Sequence, residues 1–226
     1  MKTIVVVEIM TKRPSFQNRI AYHATLLAGF ATISTIMMLL GDMATRDAIA
    51  ERRAEDMQAS LNQVVLPELY DNQLLENRIR LPHRDKTIDV YRGIREGKIS
   101  VLAYQVSDYG YAGEIVLMMG VDSKGNILGV RVLSHAETPG LGDKMEIKKS
   151  RWITGFNGLS TSNTSPSMWA VKKDDGRFDQ FTGATITPRA IIRAVKSGLD
   201  FFHLHEEKLT MTTYRDGDDI KTGTGK

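Results

Sequence analysis

The sequence predicts an α+β protein: a single apolar N-terminal helix, then a domain built from an antiparallel sheet with flanking helices. Three observations carry that expectation. No charged residue occurs between Ile20 and Gly41, a run long enough to cross a hydrocarbon core, which needs about 20 residues at helical rise. Between Thr87 and Leu133, short β-rich runs alternate with turn residues. From Pro188 onward, Ile191, Ile192, Val195, Leu199 and Phe202 repeat at the spacing of one apolar helical face.

Residues 1–19 carry Lys2, Lys12, Arg13 and Arg19 against the single acid Glu8. Basic residues before a span place the N-terminus in the cytoplasm and everything after residue 42 outside, which in a Gram-negative cell is the periplasm. A cleaved signal peptide would need a shorter apolar core, about 7–15 residues, and a small-residue cleavage site. The run here is longer and Gly41-Asp42-Met43-Ala44 is a poor site, so residues 20–41 are expected to be an uncleaved transmembrane helix. Its hydroxyl residues Thr25, Thr32, Ser34 and Thr35 either face a neighbouring helix or bond back to their own backbone; both readings stand. Residues 42–66 are rich in helix formers and extend the helix as a stalk. Leu66-Pro67 ends it, since the residue before proline disfavours helix.

A domain over residues 67–206 follows. Residues 68–75 read as a short helix. Residues 87–91, 99–106, 113–121 and 127–133 read as strands, with Arg95-Glu96-Gly97-Lys98 and residues 122–126 as hairpin connections. That makes a meander of about four strands. Residues 144–156 look helical, 158–167 form a surface loop, 168–172 add a strand, and 188–204 close the domain as a helix. Residues 207–226 are polar and rich in Gly, Asp and Thr, and read as a disordered tail.

At 226 residues the chain has room for one medium domain with a real core plus an accessory segment. A net charge of +3 and the lack of any Lys/Arg run give no footprint for nucleic acid. With no cysteine, disulfides, thiol chemistry and cysteine-ligated Fe–S clusters are excluded. His135, at a strand end with no second ligand nearby, reads as a structural group rather than a metal ligand.

One stretch concentrates chemistry. Thr182-Gly183-Ala184-Thr185 lies just before Thr187, a candidate N-cap, and Pro188, suited to the first helical position. A tight loop opening onto a helix N-terminus offers unpaired amides and the positive end of the macrodipole, a ready anion site. Arg189, in the first turn, could add a fork of donors for a phosphate. On these residues alone the loop is a phosphate site or simply a helix cap.

Two runs also carry a resemblance. Asp179 with Thr182-Gly183-Ala184-Thr185 resembles the flavinylation motif of proteins that hold FMN on threonine through a phosphoester. The run from His135 through Glu137-Thr138-Pro139-Gly140-Leu141-Gly142 to Lys144 resembles the other signature of the same FMN-binding domain. The two occur in the family's order, with Trp152-Ile153 and residues 169–173 between them. Together they are similar to the G-subunit family of Rnf-type (Rsx) electron-transport complexes. The C subunit of the sodium-translocating NADH:quinone reductase is a more distant relative.

The resemblance implies that Thr185 is the acceptor. Its hydroxyl would attack a phosphorus of FAD, forming a phosphodiester and releasing AMP, in a reaction performed by a separate Mg-dependent flavin transferase. Thr182, Gly183, Ala184, Thr187 and Arg189 would frame the attachment point. Glu137, Thr138, Gly140 and Leu141 would line the flavin ring, Leu141 as an apolar contact. Lys172 and Lys173 either bond the flavin or are simply solvated. It further implies an electron-carrying member of an ion-translocating ferredoxin/NAD oxidoreductase complex in the inner membrane, with Fe–S and flavin subunits as partners. Two other readings remain: a free-standing membrane-anchored flavoprotein, and a non-redox module in which the loop holds a loose phosphate ligand.

Overall fold

The computed structural model describes residues 20–83 and 86–212. The expectations for residues 1–19, and for the tail beyond residue 212, lie outside these described residues. The chain divides into two compact units, Met1–Arg53 and Ala54–Lys226.

The described part of the first unit is a single α-helix, the beginning of α1 (Ile20–Val64), which is 45 residues long. It is long and apolar enough to cross a membrane. Leu27, Phe30, Met37, Met38 and Leu40 stand exposed along it, as a lipid-facing helix requires. The threonine hydroxyls turn inward. Thr25, Thr32 and Thr35 donate to the carbonyls of Ala21, Ala28 and Ala31 at 3.0, 2.8 and 2.8 Å, the back-bonding alternative for these residues.

In the second unit a five-stranded antiparallel meander runs in the order β1-β2-β3-β4-β5. The strands are β1 (Arg78–His83), β2 (Lys86–Arg95), β3 (Lys98–Tyr109), β4 (Glu114–Asp122) and β5 (Ile127–Ser134). The expected four runs are present, and β1 is an addition. It alternates outward Arg78 and Arg80 with inward Ile79 and Leu81, and it contains Pro82. Proline cannot donate to a ladder, so the strand sits at the sheet edge, where only one neighbour is needed. The β2–β3 turn places Glu96 and Gly97 at φ 51° and 75°, the two left-handed positions of a type I′ hairpin turn.

One face of the sheet packs on α2 (Ile186–Thr210). Ile191, Val195, Leu199 and Phe202 of α2 join Leu102, Tyr104, Leu117 and Met119 in the main core. The Tyr104 hydroxyl, fully buried, donates to the Gly198 carbonyl at 2.9 Å, and burial pushes its phenol pKa up. The other face is covered by the end of α1, where Leu61, Val64 and Val65 pack on Val101, Ala103 and Met118. Gly120 permits that approach: a Cβ there would lie 2.6 Å from the Val64 carbonyl oxygen.

Several expected elements differ. Residues 144–156 are not an α-helix but two 3₁₀ turns, Asp143–Met145 and Trp152–Phe156, joined by turns. Met145, Ile153 and Phe156 are buried in the core and Trp152 packs against it, a spacing that does not sustain one helical face. Residues 68–75 hold only the 3₁₀ turn Pro67–Leu69. Residues 168–172 make no strand; Val171 forms a single bridge to Phe178. The 158–167 loop is present, yet its Leu159, Ser160 and Thr164 are buried. Helix α2 starts two residues before Pro188 and runs past Leu204 to Thr210, into the stretch expected to be tail. Leu209 is fully buried there, and Arg92 donates to the Met211 carbonyl at 2.9 Å. Those contacts hold the extra turns in place.

Candidate functional site

Two tight turns meet at one cleft of about 420 Å³. In the first, the Leu141 N–H donates to the Thr138 carbonyl at 3.2 Å across Pro139-Gly140, with Gly140 at φ 80°. In the second, the Ala184 N–H donates to the Phe181 carbonyl at 3.1 Å across Thr182-Gly183, with Gly183 at φ 82°. Both follow the type II pattern, which demands a left-handed third residue and therefore glycine. The turns touch: a Cβ on Gly183 would lie 3.1 Å from Leu141 Cδ2. Glu137, Thr138, Leu141, Gly183, Ala184 and Thr185 all line the cleft.

Thr185 stands at the N-cap of α2, exposed, with its hydroxyl making no capping bond. With Thr185 and Ile186 both lining the cleft, the positive end of a 25-residue helix lies at its wall. The expected capping role of Thr187 is not what the structure gives. Thr187 lies inside the first turn, fully buried, and its hydroxyl donates to Glu137 Oε2. The helix begins earlier because Ile186 already takes helical geometry. Pro188, deeper in the first turn than expected, still costs nothing there, since the first four N–H groups of any helix lack intrahelical partners.

Glu137 is the junction of the site. Its carboxylate is 5% exposed. It accepts from Thr187 at one oxygen and from the Ala112 N–H at 2.9 Å at the other, so it ties α2 to the β3–β4 hairpin. Substituting Glu137→Ala leaves the buried Thr187 hydroxyl and the Ala112 amide without their acceptor. The exposed Ala112 amide can turn to water, so the expected cost is that of the buried Thr187 hydroxyl, about 1–3 kcal/mol, read as a lowered thermal unfolding midpoint of the full chain in detergent. An unchanged midpoint would show that the junction contributes nothing.

The neighbouring groups are also satisfied. His135 Nδ1 accepts from the Glu137 N–H at 3.1 Å, and Nε2 lies 3.2 Å from Glu146 Oε1, a structural histidine. Asp143 accepts from the Gly140 N–H and from Lys149 Nζ, both at 2.7 Å. The Lys149 hydrogen bond, then the Gly140 amide, hold the Asp143 carboxyl below its ordinary value of 3.8, and the same contact raises Lys149. A depressed carboxyl stabilises the fold at any pH above its unfolded value and loses that contribution as pH falls through the lower folded value. The Pro139-Gly140 turn should thus stay pinned down to pH 3.8 and loosen only below it. An NMR titration of the Gly140 amide checks this, and a midpoint at or above 3.8 contradicts it.

Other expected site residues point elsewhere. Arg189 offers its fork to Asp174, at 2.7 and 2.9 Å, rather than to the cleft. That pairing lowers the Asp174 carboxyl and raises the guanidinium. Lys172 pairs with Asp179 at 2.6 Å. Thr182 is exposed on its turn and Gly140 lies beside the cleft; neither lines it. Gly142, the end of the expected ring-lining loop, lines it too, and so do two residues not singled out in the sequence, Tyr111 and Ile186. Only Tyr111 carried a signal, an aromatic between two glycines at a hairpin tip.

Beneath the second turn lies an aromatic platform. Trp152, Phe156, Trp169, Phe178 and Phe181 pack with ring centroids 4.4–6.5 Å apart. The Trp152 indole N–H donates to the Asp179 carbonyl at 2.7 Å. These tryptophans are support for the loop, the ordinary role of large aromatics.

The chain resembles known proteins along most of its length. The FMN-binding domain family matches residues 110–200, and the RnfG N-terminal region matches residues 10–64. The G subunit of the ion-translocating oxidoreductase complex of Stutzerimonas stutzeri is 44% identical over 188 residues, 83% of this chain and 82% of that protein. The protein of the same name from Cereibacter sphaeroides is 45% identical over 81% of this chain and 84% of its own length. That from Aliivibrio fischeri is 42% identical over 81% and 90%. The crystal structure of Shewanella oneidensis NqrC covers 66% of this chain and 73% of its own, at 23% identity and a TM-score of 0.44. That likeness is too distant to add to the assignment.

Proposed function

Since the chain belongs to the G-subunit family of ion-translocating oxidoreductase complexes, at 42–45% identity over four-fifths of its length, we propose that it is an electron carrier with FMN joined to Thr185 by a phosphoester. The observation that supports this most directly is the meeting of the two glycine turns at one cleft, with an exposed, uncapped Thr185 hydroxyl at the helix N-terminus. When bound, FMN supplies one- and two-electron redox chemistry at its isoalloxazine ring.

The chain's own residues fit that group. Thr185 is the anchor, and the α2 amides stabilise the negative phosphate beside it. Leu141 and Ile186 give apolar walls, and Gly183 leaves space that a Cβ would narrow. A cleft of about 420 Å³ is within the usual range for small-molecule sites. Thr187 cannot compete as acceptor, because its hydroxyl is buried and already committed to Glu137.

In this reading residues 20–41 of α1 are the single inner-membrane span, the rest of α1 is the stalk, the N-terminus is cytoplasmic, and the FMN-binding domain is periplasmic. The partners are the other membrane, Fe–S and flavin subunits of an Rnf-type complex coupling ferredoxin and NAD chemistry to ion movement. A Mg-dependent flavin transferase matures the chain. The test is expression of the full chain with and without that transferase, followed by a denaturing gel under ultraviolet light. The chain should fluoresce only in the first case. A dark band in both cases would contradict covalent attachment and return the cleft to a loose phosphate ligand.

A further inference from the structure

We propose that Tyr111 is a flavin-contacting residue, carried over the cleft on the β3–β4 hairpin tip and packing its ring against the isoalloxazine. This rests on the reading of Thr185 as the attachment point. The tip is a closed turn, with the Gly110 N–H donating to the Gly113 carbonyl at 2.8 Å. It is also pinned from below. Ala112 donates its N–H to Glu137 Oε1 at 2.9 Å, and Gly110 lies so close that a Cβ there would come within 2.5 Å of the same oxygen. The tip cannot swing away without leaving a buried carboxylate short of a donor.

On this fixed arm Tyr111 lines the same cleft as Thr185, and it is the one aromatic among the described residues lining it. Tyr111 is 74% exposed and belongs to neither hydrophobic core. A large aromatic carried in the open on a pinned backbone, beside a cleft for a planar aromatic ligand, is placed for ring–ring contact. The remaining walls are aliphatic, small or polar, so no other described lining residue can make it. Because Glu137 serves both Ala112 and Thr187, the same carboxylate sets the distance between this arm and the first turn of α2.

A phenol in van der Waals contact with an excited flavin gives it an electron and takes it back, which quenches fluorescence without net oxidation. The full chain is therefore loaded with FMN by the flavin transferase as wild type, Tyr111→Leu and Tyr111→Phe. Intact mass fixes the loading of each, and flavin fluorescence is read native and again after digestion to the flavinyl peptide. Wild type should be severalfold dimmer native than digested. Tyr111→Leu should lose most of that quench at equal loading. Tyr111→Phe, which keeps the ring but not the easily oxidised phenol, should fall between them. Equal loading with native fluorescence equal to wild type in Tyr111→Leu overturns the contact alone. Slower loading of Tyr111→Leu with unchanged quenching would also overturn it, since Tyr111 would then serve the transferase. A wild-type chain without flavin overturns the attachment and the contact together.

Discussion

Thr185→Val should give a folded chain that carries no flavin. Valine matches threonine in shape but has no hydroxyl, so no phosphoester can form. The hydroxyl makes no capping bond and the side chain is exposed, so its removal disturbs neither the helix nor the core. The expected outcome is complete loss of ultraviolet fluorescence on a denaturing gel, with the thermal midpoint of the unloaded chain unchanged. Thr187→Val is the contrasting variant. It removes a buried donor from Glu137, so it should lower stability by about 1–3 kcal/mol while leaving the acceptor in place. Flavin retained in Thr185→Val and lost in Thr187→Val would reverse the assignment.

Phe156→Ala should have the largest effect on stability. Phe156 is fully buried and stacks on Phe178 with centroids 4.4 Å apart, edge-on to Trp152 at 5.5 Å. Truncating a buried phenylalanine costs about 3–5 kcal/mol, because the cavity it leaves collapses only partly. The loss should reach the site. Trp152 packs on Phe181, which starts the second turn, and holds the Asp179 carbonyl. Chemical denaturation should report the destabilisation, and loading by the flavin transferase should fall with it. A loss below about 1 kcal/mol would mean that the platform is loosely packed and does not support the turn.

Much of this arrangement was legible because it rests on local chemistry. Gly97, Gly140 and Gly183 mark turns whose left-handed positions glycine fills without strain. The strand runs between them, Ile99–Val106 and Ile115–Val121 above all, are nearly continuously apolar, as strands covered on both faces must be. The elements that were missed depend on tertiary context. Strand β1 was hidden by Pro82 and two exposed arginines, and only the pairing of Ile79 with Val90 and Leu81 with Ile88 across the edge reveals it. The 143–156 segment has helix-forming residues, but those that reach the core, Met145, Trp152, Ile153 and Phe156, do not fall on one helical face. Arg189 read as a phosphate donor, and Lys172 as either a flavin contact or a solvated group, because a sequence does not show which carboxylate the fold brings near; Asp174 and Asp179 take them. Thr187 looked like a cap until Glu137, fifty residues earlier, proved to be its acceptor.

Everything proposed for this site turns on a covalent flavin at Thr185, and mass is its most direct test. The full chain, purified from its native membrane, is weighed intact and then mapped through the 179–189 peptide. The expected result is an increment of FMN minus water, confined to Thr185. An unmodified chain, or an increment placed on Thr182 or Thr187, would contradict it.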